Sequence, residues 1–471
     1  MALKDVLVTI KDGGLALLAA NPSAVHAKVG VASRAPVNQI VTLSDHAQIA
    51  DVVGVGPLAD ALLDSFVGGS RIVYAVAAQA DIAGSIGSVT KTGTGQGTLT
   101  TSGSPLNAFD VVIEITADGR RNTAVFRYSL DGGRTWSLLI TVPADGIYAI
   151  PGSGITVTFN EYATDPTQSF KAGDRYAFAT TAPAASVASV NAALDVLLDS
   201  TKSYDFIHIV GATDNAMWAA LAARADEAFN RFRYLHILAE ARAPSNAETV
   251  DQWVSALESQ AQNFASTRVS VSAAFGLISD IATGRQVVRN LAGLYAGRVS
   301  SIPVQKHPGE VALGPIPSIV ELRPVGIHSG HIAALDDARF ITFRTYEGMP
   351  GHYVNDGRIM ASPTSDYQQV ETRRVVDKAS REVRLAGLRF HKGPATPGGI
   401  AAFQAALQVP LGAMLAAGEI MGGRVVIPPN QNVLSTGKLR AQLRIVPVPI
   451  MREIELEIGL ENPFAMPAAV A

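Results

Sequence analysis

The fold class of the chain is decided by residues 206–239, FIHIVGATDNAMWAALAARADEAFNRFRYLHILA. Short apolar runs at residues 206–210 and 234–239 predict two buried strands. The alanine-rich segment between them, residues 214–229, predicts a helix. A strand–helix–strand unit whose strands are apolar throughout is typical of a parallel sheet that is covered on both faces.

The same alternation extends on both sides of this unit. The further predicted elements are strands at residues 25–32, 71–77 and 269–274, and helices at residues 57–66, 187–198, 247–264 and 285–298. Together they predict an α/β core with a largely parallel sheet, formed by residues 21–82 and 184–300.

Residues 83–183 interrupt this pattern with a segment that is rich in Gly, Thr and Ser. Its short predicted strands, separated by clusters of turn residues, lie at residues 111–116, 124–129, 155–160 and 176–181. This spacing is typical of a small all-β sandwich, which we predict to be an inserted domain.

Residues 301–432 predict a C-terminal α+β domain. Its helices are predicted at residues 367–387 and at residues 398–418, the second one interrupted at Pro410. On the first helix, Arg374, Lys378 and Arg381 form a basic stripe. Such a stripe is either a solvated helix face or a docking surface for an acidic partner.

Alternating apolar residues predict a strand arm at each end of the chain, residues 1–20 and residues 433–471. The alternating residues are Val6, Val8 and Ile10 at one end, and Leu439 to Ile445 followed by Ile454, Leu456 and Ile458 at the other. These runs either close a hairpin in the chain's own sheet or complete the sheet of a neighbouring subunit by strand addition. Glu453, Glu455 and Glu457, which separate the last apolar residues, suit a strand that must avoid promiscuous pairing.

Composition excludes several classes of function. A net charge of −3 over 471 residues provides no basic field for nucleic acid or an anionic membrane. The absence of cysteine excludes disulfides, thiolate metal sites and cysteine nucleophiles, and it fits folding in the cytosol. We also expect no signal peptide, because residues 1–14 carry charges at Lys4, Asp5, Lys11 and Asp12 and lack a continuous apolar core. We expect no membrane span, since no window approaches the required length of about 20 apolar residues.

No cluster of residues indicates a catalytic, cofactor-binding or metal site, and we expect no enzyme activity and no cofactor. His328 and His331 are three residues apart, but Gly326 and Gly330 predict a loop or strand end there. His208 and His236 fall in predicted buried strands and are interpreted as core residues. The glycine-rich runs at residues 54–56 and 93–97 lack the context of a dinucleotide-binding loop.

One motif supports an alternative function. Residues 129–136, SLDGGRTW, resemble the Asp-box of sialidase-type propellers, which would make the chain a carbohydrate-active or glycan-binding protein. A propeller requires repeated blades, and the sequence has no such repeat, so a turn between two strands is the simpler interpretation. A third alternative, an α/β enzyme, has only Asp214, Glu240 and Arg242 at the carboxyl ends of the predicted strands.

Several blocks of the chain, taken in order, resemble contractile phage tail sheath proteins and the related sheaths of contractile injection systems. The blocks are residues 29–31, 33–36, 41–44, 56–58 and 68–74, the GTGxGxLT and FRYSLDGGRTWS motifs at residues 93–100 and 126–137, residues 291–296, residues 351–357 (GHYVNDG), residues 374–379 (RVVDKA) and the two-strand tail. Residues 301–304 depart from the proline-rich motif that usually follows residue 296 in this family.

The resemblance implies a structural subunit of a virion tail sheath that is assembled in the host cytoplasm. Stacked hexameric rings of the protein would form a helical sheath around an inner tail tube, with baseplate and tail terminator proteins as further partners. Contraction would drive the tube through the target envelope. The resemblance also implies that Val6, Val8, Ile10, Ile454, Leu456 and Ile458 pair with strands of other subunits. We expect Arg374, Lys378 and Arg381 to face the tube.

Overall fold

The computed structural model of the protein describes residues 22–460. The predicted N-terminal arm, with Val6, Val8 and Ile10, lies outside the described residues. The described chain is a mixed α/β structure with several sheets, which agrees with the predicted class of fold.

The first part of the core comprises two strand regions separated by helices. Its elements are β1 (Val25–Gly30), β2 (Ile40–Leu43), α1 (Ile49–Val52), α2 (Pro57–Val67) and β3 (Ile72–Ala77). Helix α2 begins at Pro57, whose missing N–H is not needed at the first helical position. The preceding Gly56 has a φ of 134°, a conformation that a side chain would oppose.

Residues 90–179 form two antiparallel sheets. Their strands are β4 (Thr90–Thr92), β5 (Thr98–Gly103), β6 (Asp110–Ala117), β7 (Val125–Ser129), β8 (Ile140–Thr141), β9 (Ile147–Ile150), β10 (Ile155–Asn160) and β11 (Arg175–Ala179). The strand orders are β5-β10-β9 and β4-β11-β6-β7-β8. Alternate residues of β6, such as Val111, Ile113 and Ile115, are buried in a core that both sheets share.

The second part of the core completes the parallel sheet. Its elements are α3 (Val187–Asp199), β12 (Phe206–Thr213), α4 (Asn215–Asn230), β13 (His236–Ala241), α5 (Val250–Gln262) and β14 (Val269–Ser272). The six-stranded sheet has the order β14-β13-β12-β1-β3-β2, and β2 is its antiparallel edge strand. Strands β1 and β13 are buried along their whole length, as expected for a sheet covered on both faces.

Residues 275–354 add small elements beside the core: β15 (Phe275–Ser279), β16 (Gln286–Asn290), α6 (Ala292–Ser301), β17 (Ile319–Arg323), α7 (Ser329–Asp337), β18 (Phe343–Arg344) and β19 (Tyr353–Val354). The predicted helix at residues 285–298 is therefore wrong in its first half. The β-branched Val287 and Val288 pair with β15 instead, because the turn at Gly284 (φ 70°) returns the chain as a hairpin.

The prediction of a loop around His328 is also wrong, because helix α7 begins at Ser329. His328 is its N-cap, and its Nδ1 accepts a hydrogen bond from the Gly330 N–H at 3.1 Å. The cap compensates for the poor helix propensity of Gly330.

The C-terminal part consists of two long helices and a hairpin: α8 (Val370–Leu388), α9 (Pro397–Ala416), β20 (Ile420–Val426), α10 (Val433–Thr436) and β21 (Gln442–Pro447). Helix α9 continues through Pro410, where an interruption was predicted. Leu407 and Leu411 on either side of the proline are both buried against the same core, which holds the two halves in line.

Among residues 22–460 a single helix, α9, is long and apolar enough to cross a membrane, judged by its length and composition alone. The expectation that no segment reaches this length and apolarity is therefore wrong. Its buried residues Leu407, Leu411 and Met414 pack with residues of α8 and β20.

A chain of ionisable side chains is buried within the parallel sheet. Lys28 Nζ lies 2.5 Å from His208 Nδ1, and His208 Nε2 lies 2.9 Å from Glu240 Oε1. Burial lowers the pKa of Lys28 and raises the pKa of Glu240, although the two charges attract each other. The free-energy cost of desolvating the two charged groups is therefore larger than the free energy gained from their mutual attraction.

The pH dependence of this cost follows from the two directions. Glu240 binds its proton more tightly in the folded chain, so its contribution to stability falls as pH rises above the ordinary pKa of a glutamate. Lys28 binds its proton more tightly in the unfolded chain, so its contribution rises as pH approaches the ordinary pKa of a lysine. The summed cost is greatest near neutral pH.

We predict that Lys28→Met combined with Glu240→Gln raises the free energy of unfolding near pH 7 by about 1–4 kcal/mol, the range found when buried ion pairs are replaced by packed neutral groups. The gain should shrink toward acid and alkaline pH, as measured by urea unfolding across that range. Lys438→Met, at an exposed lysine, is the control and should change little. A double variant that is less stable than the wild type at pH 7 would contradict the assignment.

Candidate subunit-contact site

The hairpin β20–β21 presents one apolar face and one basic face. Val425, Leu443 and Ile445 pack toward the core formed with α8 and α9. On the other face Arg424 lies directly opposite Arg444, and both side chains are exposed. Like charges that face each other across a ladder repel. Among residues 22–460 their guanidinium groups take part in no ion pair, so this face is free to attract an acidic segment.

The first alternating run of the tail forms β21 and pairs with β20 of the same chain, which is the hairpin alternative. The second run does not. Residues 451–460 belong to no helix or strand, and they pair with no strand of the described chain. Ile454, Leu456 and Ile458 are 70%, 81% and 89% exposed. Exposed apolar area costs about 25 cal/mol per Å², so three such side chains favour burial against a partner.

Arg452 marks the point where the tail leaves the body. Its Nη1 lies 2.5 Å from Asp356 Oδ1, and its Nη2 contacts Glu371 Oε1. Burial acts to raise the pKa of Asp356, but the hydrogen bond from His307 and the charge of Arg452 hold it well below its ordinary value. Burial raises the pKa of Glu371, and Arg452 opposes that shift. The guanidinium therefore compensates two covered carboxylates.

The predicted basic stripe on α8 is not an exposed surface. Arg374 is 1% exposed and its Nε lies 2.7 Å from Asp205 Oδ2. Lys378 Nζ lies 2.5 Å from Glu419 Oε1 and Arg381 lies 3.5 Å from Asp205, both largely covered. The prediction that these side chains face an inner tube is wrong for Arg374 and loses its basis for the other two. The partner carboxylates lie on elements distant in sequence, so the spacing on α8 could not reveal them.

The Asp-box-like motif forms a closed turn. Asp131 Oδ1 accepts hydrogen bonds from the N–H groups of Arg134 and Thr135 at 3.0 and 2.8 Å. Its Oδ2 accepts from the Gln286 N–H at 3.1 Å, which attaches the turn to β16. Trp136 is covered by the guanidinium of Arg127, 4.3 Å from the ring centroid. The acceptors of Asp131 and the face of Trp136 are thus used within the chain, as in the simpler interpretation of a turn.

The histidines that were considered as ligands have other roles. The rings of His328 and His331 stack with centroids 3.7 Å apart, and His331 Nε2 lies 2.8 Å from Asp251 Oδ1. His236 stacks on Phe206 in the buried sheet. Within residues 22–460 there is no group of three or more His, Asp or Glu side chains arranged to hold a metal ion.

We predict that Arg452→Ala lowers the free energy of unfolding by about 1–2 kcal/mol at pH 7, since it leaves Glu371 buried without its cation. The part of the loss that is due to Glu371 should disappear below pH 4.5, because Glu371 is then protonated in both the folded and the unfolded chain. The part that is due to Asp356 should remain, because the pKa of Asp356 is held well below its ordinary value in the folded chain. Urea unfolding at the two pH values measures both effects. Arg440→Ala, at an exposed arginine outside any described ion pair, is the matched control. Equal losses in the two variants would exclude the anchoring role of Arg452.

Two family models match most of the chain. The N-terminal domain of DUF2586 matches residues 3–358, and the C-terminal domain of DUF2586 matches residues 366–465. A curated relative named putative tail sheath protein, from Haemophilus phage HP1 (strain HP1c1), is 31% identical over 153 residues. That match covers 31% of this chain and 37% of the relative's length.

The chain is also similar to solved structures of contractile systems. The sheath complex of the extracellular contractile injection system PVC, in the contracted state, has a TM-score of 0.57 at 12% identity and covers 98% of this chain and 99% of its own. The contracted helical sheath of the anti-feeding prophage has a TM-score of 0.55 at 14% identity and covers 98% and 100%. The sheath tail protein from Listeria innocua has a TM-score of 0.51 at 11% identity and covers 91% and 96%.

At these identities the structural likeness shows the fold, while the two family models show the relationship. The comparisons give no support to a glycan-binding or carbohydrate-active protein. The chain belongs to the DUF2586 family, and its resemblance to contractile tail sheath proteins is confirmed.

Proposed function

We propose that the chain is the structural subunit of a contractile tail sheath, which polymerises around an inner tube and contracts to drive the tube through a target envelope. The observation that carries the proposal is that the chain combines an unpaired alternating tail, residues 453–458, with a hairpin that has a free basic face. An exposed strand-forming segment that pairs with no strand of its own described chain is a means of linking copies of that chain.

The tail and the hairpin are complementary in both polarity and charge. In an extended strand Ile454, Leu456 and Ile458 lie on one side and the three glutamates lie on the other. A strand added to the hairpin would place its apolar side chains on the face of Leu443 and Ile445. The glutamates would then lie on the face of Arg424 and Arg444 and relieve their mutual repulsion.

Strand addition fits a machine that changes shape without losing its subunits. Main-chain hydrogen bonds between an arm and a neighbour persist while the connection to the body bends, so rigid bodies can rotate and stay linked. In this proposal residues 1–20 act as one arm, and the part of the predicted arm 433–471 that follows β21 acts as the other. The proposed core domain comprises residues 21–82 and 184–300. The proposed inserted domain comprises residues 83–183, and the proposed C-terminal domain comprises residues 301–432.

The proposed assembly is a helical stack of hexameric rings that encloses an inner tail tube and meets a baseplate at one end and a tail terminator at the other. The proposed location is the virion tail, after assembly in the host cytoplasm. Contact with the tube is assigned to no residue, because Arg374, Lys378 and Arg381 are paired within the chain. The function requires neither catalysis nor a cofactor.

We predict that reversing the tail charges (Glu453→Lys, Glu455→Lys and Glu457→Lys) leaves the chain folded but blocks polymerisation. Reversing the acceptor charges (Arg424→Glu and Arg444→Glu) should do the same, because like charges then meet across the contact. Combining both sets should restore assembly. Sedimentation and electron microscopy of the purified chains provide the measurement.

Glu347→Lys, at an exposed glutamate that belongs to neither the hairpin nor the tail, is the control and should assemble like the wild type. Normal assembly by either half-reversed variant would contradict the proposed charge pairing. Failure of the combined variant with retention of the fold would exclude this register of residues.

We predict separately that removing residues 1–12 gives a folded chain that is defective in assembly. In the proposal, Val6, Val8 and Ile10 contact a neighbouring subunit and not the core of their own chain. The midpoint of thermal unfolding of the shortened chain should therefore change little. Normal polymers formed by the shortened chain would refute a linking role for this arm.

A further inference from the structure

The outer edge of β20 is covered by two glutamine side chains of α9. Gln404 and Gln408 are four residues apart, and so they lie on the same face of the helix. Gln408 Nε2 donates to the Gly423 carbonyl at 2.8 Å, and its Oε1 accepts from the Val425 N–H at 3.0 Å. Gln404 Nε2 donates to the Val425 carbonyl at 3.0 Å.

This arrangement imitates a neighbouring strand. One side-chain amide satisfies a carbonyl and an N–H two residues apart along the strand, which is what the N–H and carbonyl of one residue in a parallel neighbouring strand would do. Unpaired groups on an edge strand are a template for strand addition. On β20 that template is occupied from within the chain.

The register of the hairpin then assigns the direction of the groups on β21. Val425 is opposite Leu443, and Gly423 is opposite Ile445. Since the N–H and carbonyl of Val425 point away from β21, these are the pairs that share no ladder hydrogen bonds. The main-chain groups of Leu443 and Ile445 therefore point away from β20, toward the free edge of the hairpin.

The edge of β21 has no equivalent cover. Among residues 22–460 no side chain donates to or accepts from the main chain of Leu443 or Ile445. The open template ends at Pro447, which has no N–H. The two edges of the hairpin therefore differ, one closed by amides and one open over a short span.

We propose that Gln404 and Gln408 close the β20 edge, so that each hairpin accepts one donated strand and accepts it on β21. The occupant is residues 453–458 of a second copy of the chain, whose polarity and charge fit this hairpin; this rests on the proposed function. The closed edge excludes a second strand from β20 and limits each hairpin to a single donor.

Cysteine cross-linking in the full-length chain tests the choice of edge, because the sequence contains no cysteine. Arg424 and Arg444 are opposite each other on the same exposed face, one on each strand, and they form a matched pair of positions. Each is changed to Cys in combination with Glu453→Cys, Glu455→Cys or Glu457→Cys. Side chains on adjacent strands lie within disulfide reach, and those two strands apart, about 10 Å, do not.

We expect disulfide-linked oligomers from the tail cysteines with Arg444→Cys and none with Arg424→Cys. Adding Gln404→Ala and Gln408→Ala, which keeps strong helix formers on α9, should open the β20 edge and produce cross-links at position 424. Thermal unfolding of the alanine variant checks that the hairpin persists. Gln96→Ala, at an exposed glutamine in the inserted sheets, is the control and should add no cross-links at position 424.

Three results would overturn the inference. Cross-links at position 424 in the presence of both glutamines would show that the β20 edge is open, while strand donation itself would stand. Absence of cross-links at position 424 in the folded alanine variant would show that the glutamines are not the closure. Absence of cross-links at both positions would remove the donated strand, and with it the proposed function.

Discussion

One buried guanidinium joins the C-terminal part of the chain to the parallel sheet. Arg374, on α8, pairs with Asp205 directly before β12, and it also donates to the Ser23 carbonyl at 2.9 Å. Arg374 and Asp205 are each 1% exposed. Breaking such a pair costs about 3–5 kcal/mol, because one charge is left buried without compensation. The position of α8, and of the hairpin that packs beside it, depends on this contact.

Further ion pairs extend this contact along α8. Asp377 pairs with Arg373 on its own helix and with Arg268, which precedes β14. Lys378 pairs with Glu419, directly before β20. Buried pairs of this kind are weak evidence for stability, but each requires a specific partner in a specific place. In this chain the ion pairs specify the position of α8 and of the β20–β21 hairpin on the core.

The tail is held in a different way from the body. Helix α8 is fixed by ion pairs with several other parts of the chain. Within residues 448–460, by contrast, the ion pairs that the structure describes are all formed by Arg452. The apolar side chains that follow it, those of Ile454, Leu456 and Ile458, are not buried against any part of residues 22–460. A rigid core with a tail that is attached at Arg452 suits the proposed linking of subunits. The tail can change direction relative to the core without disturbing the packing of the core.

The sequence by itself determined the parallel core, since apolar strands alternating with helices leave few other arrangements for residues such as 206–239. It also indicated strand-forming character in the tail, because period-two alternation is a local property. It did not distinguish strand from helix at residues 286–290, where a turn and a partner strand decide. Tertiary structure alone decided that Arg374 is buried, because its partner Asp205 lies 169 residues away. It alone decided the closed edge of β20, since Gln404 and Gln408 are ordinary polar helix residues until the hairpin packs beside them.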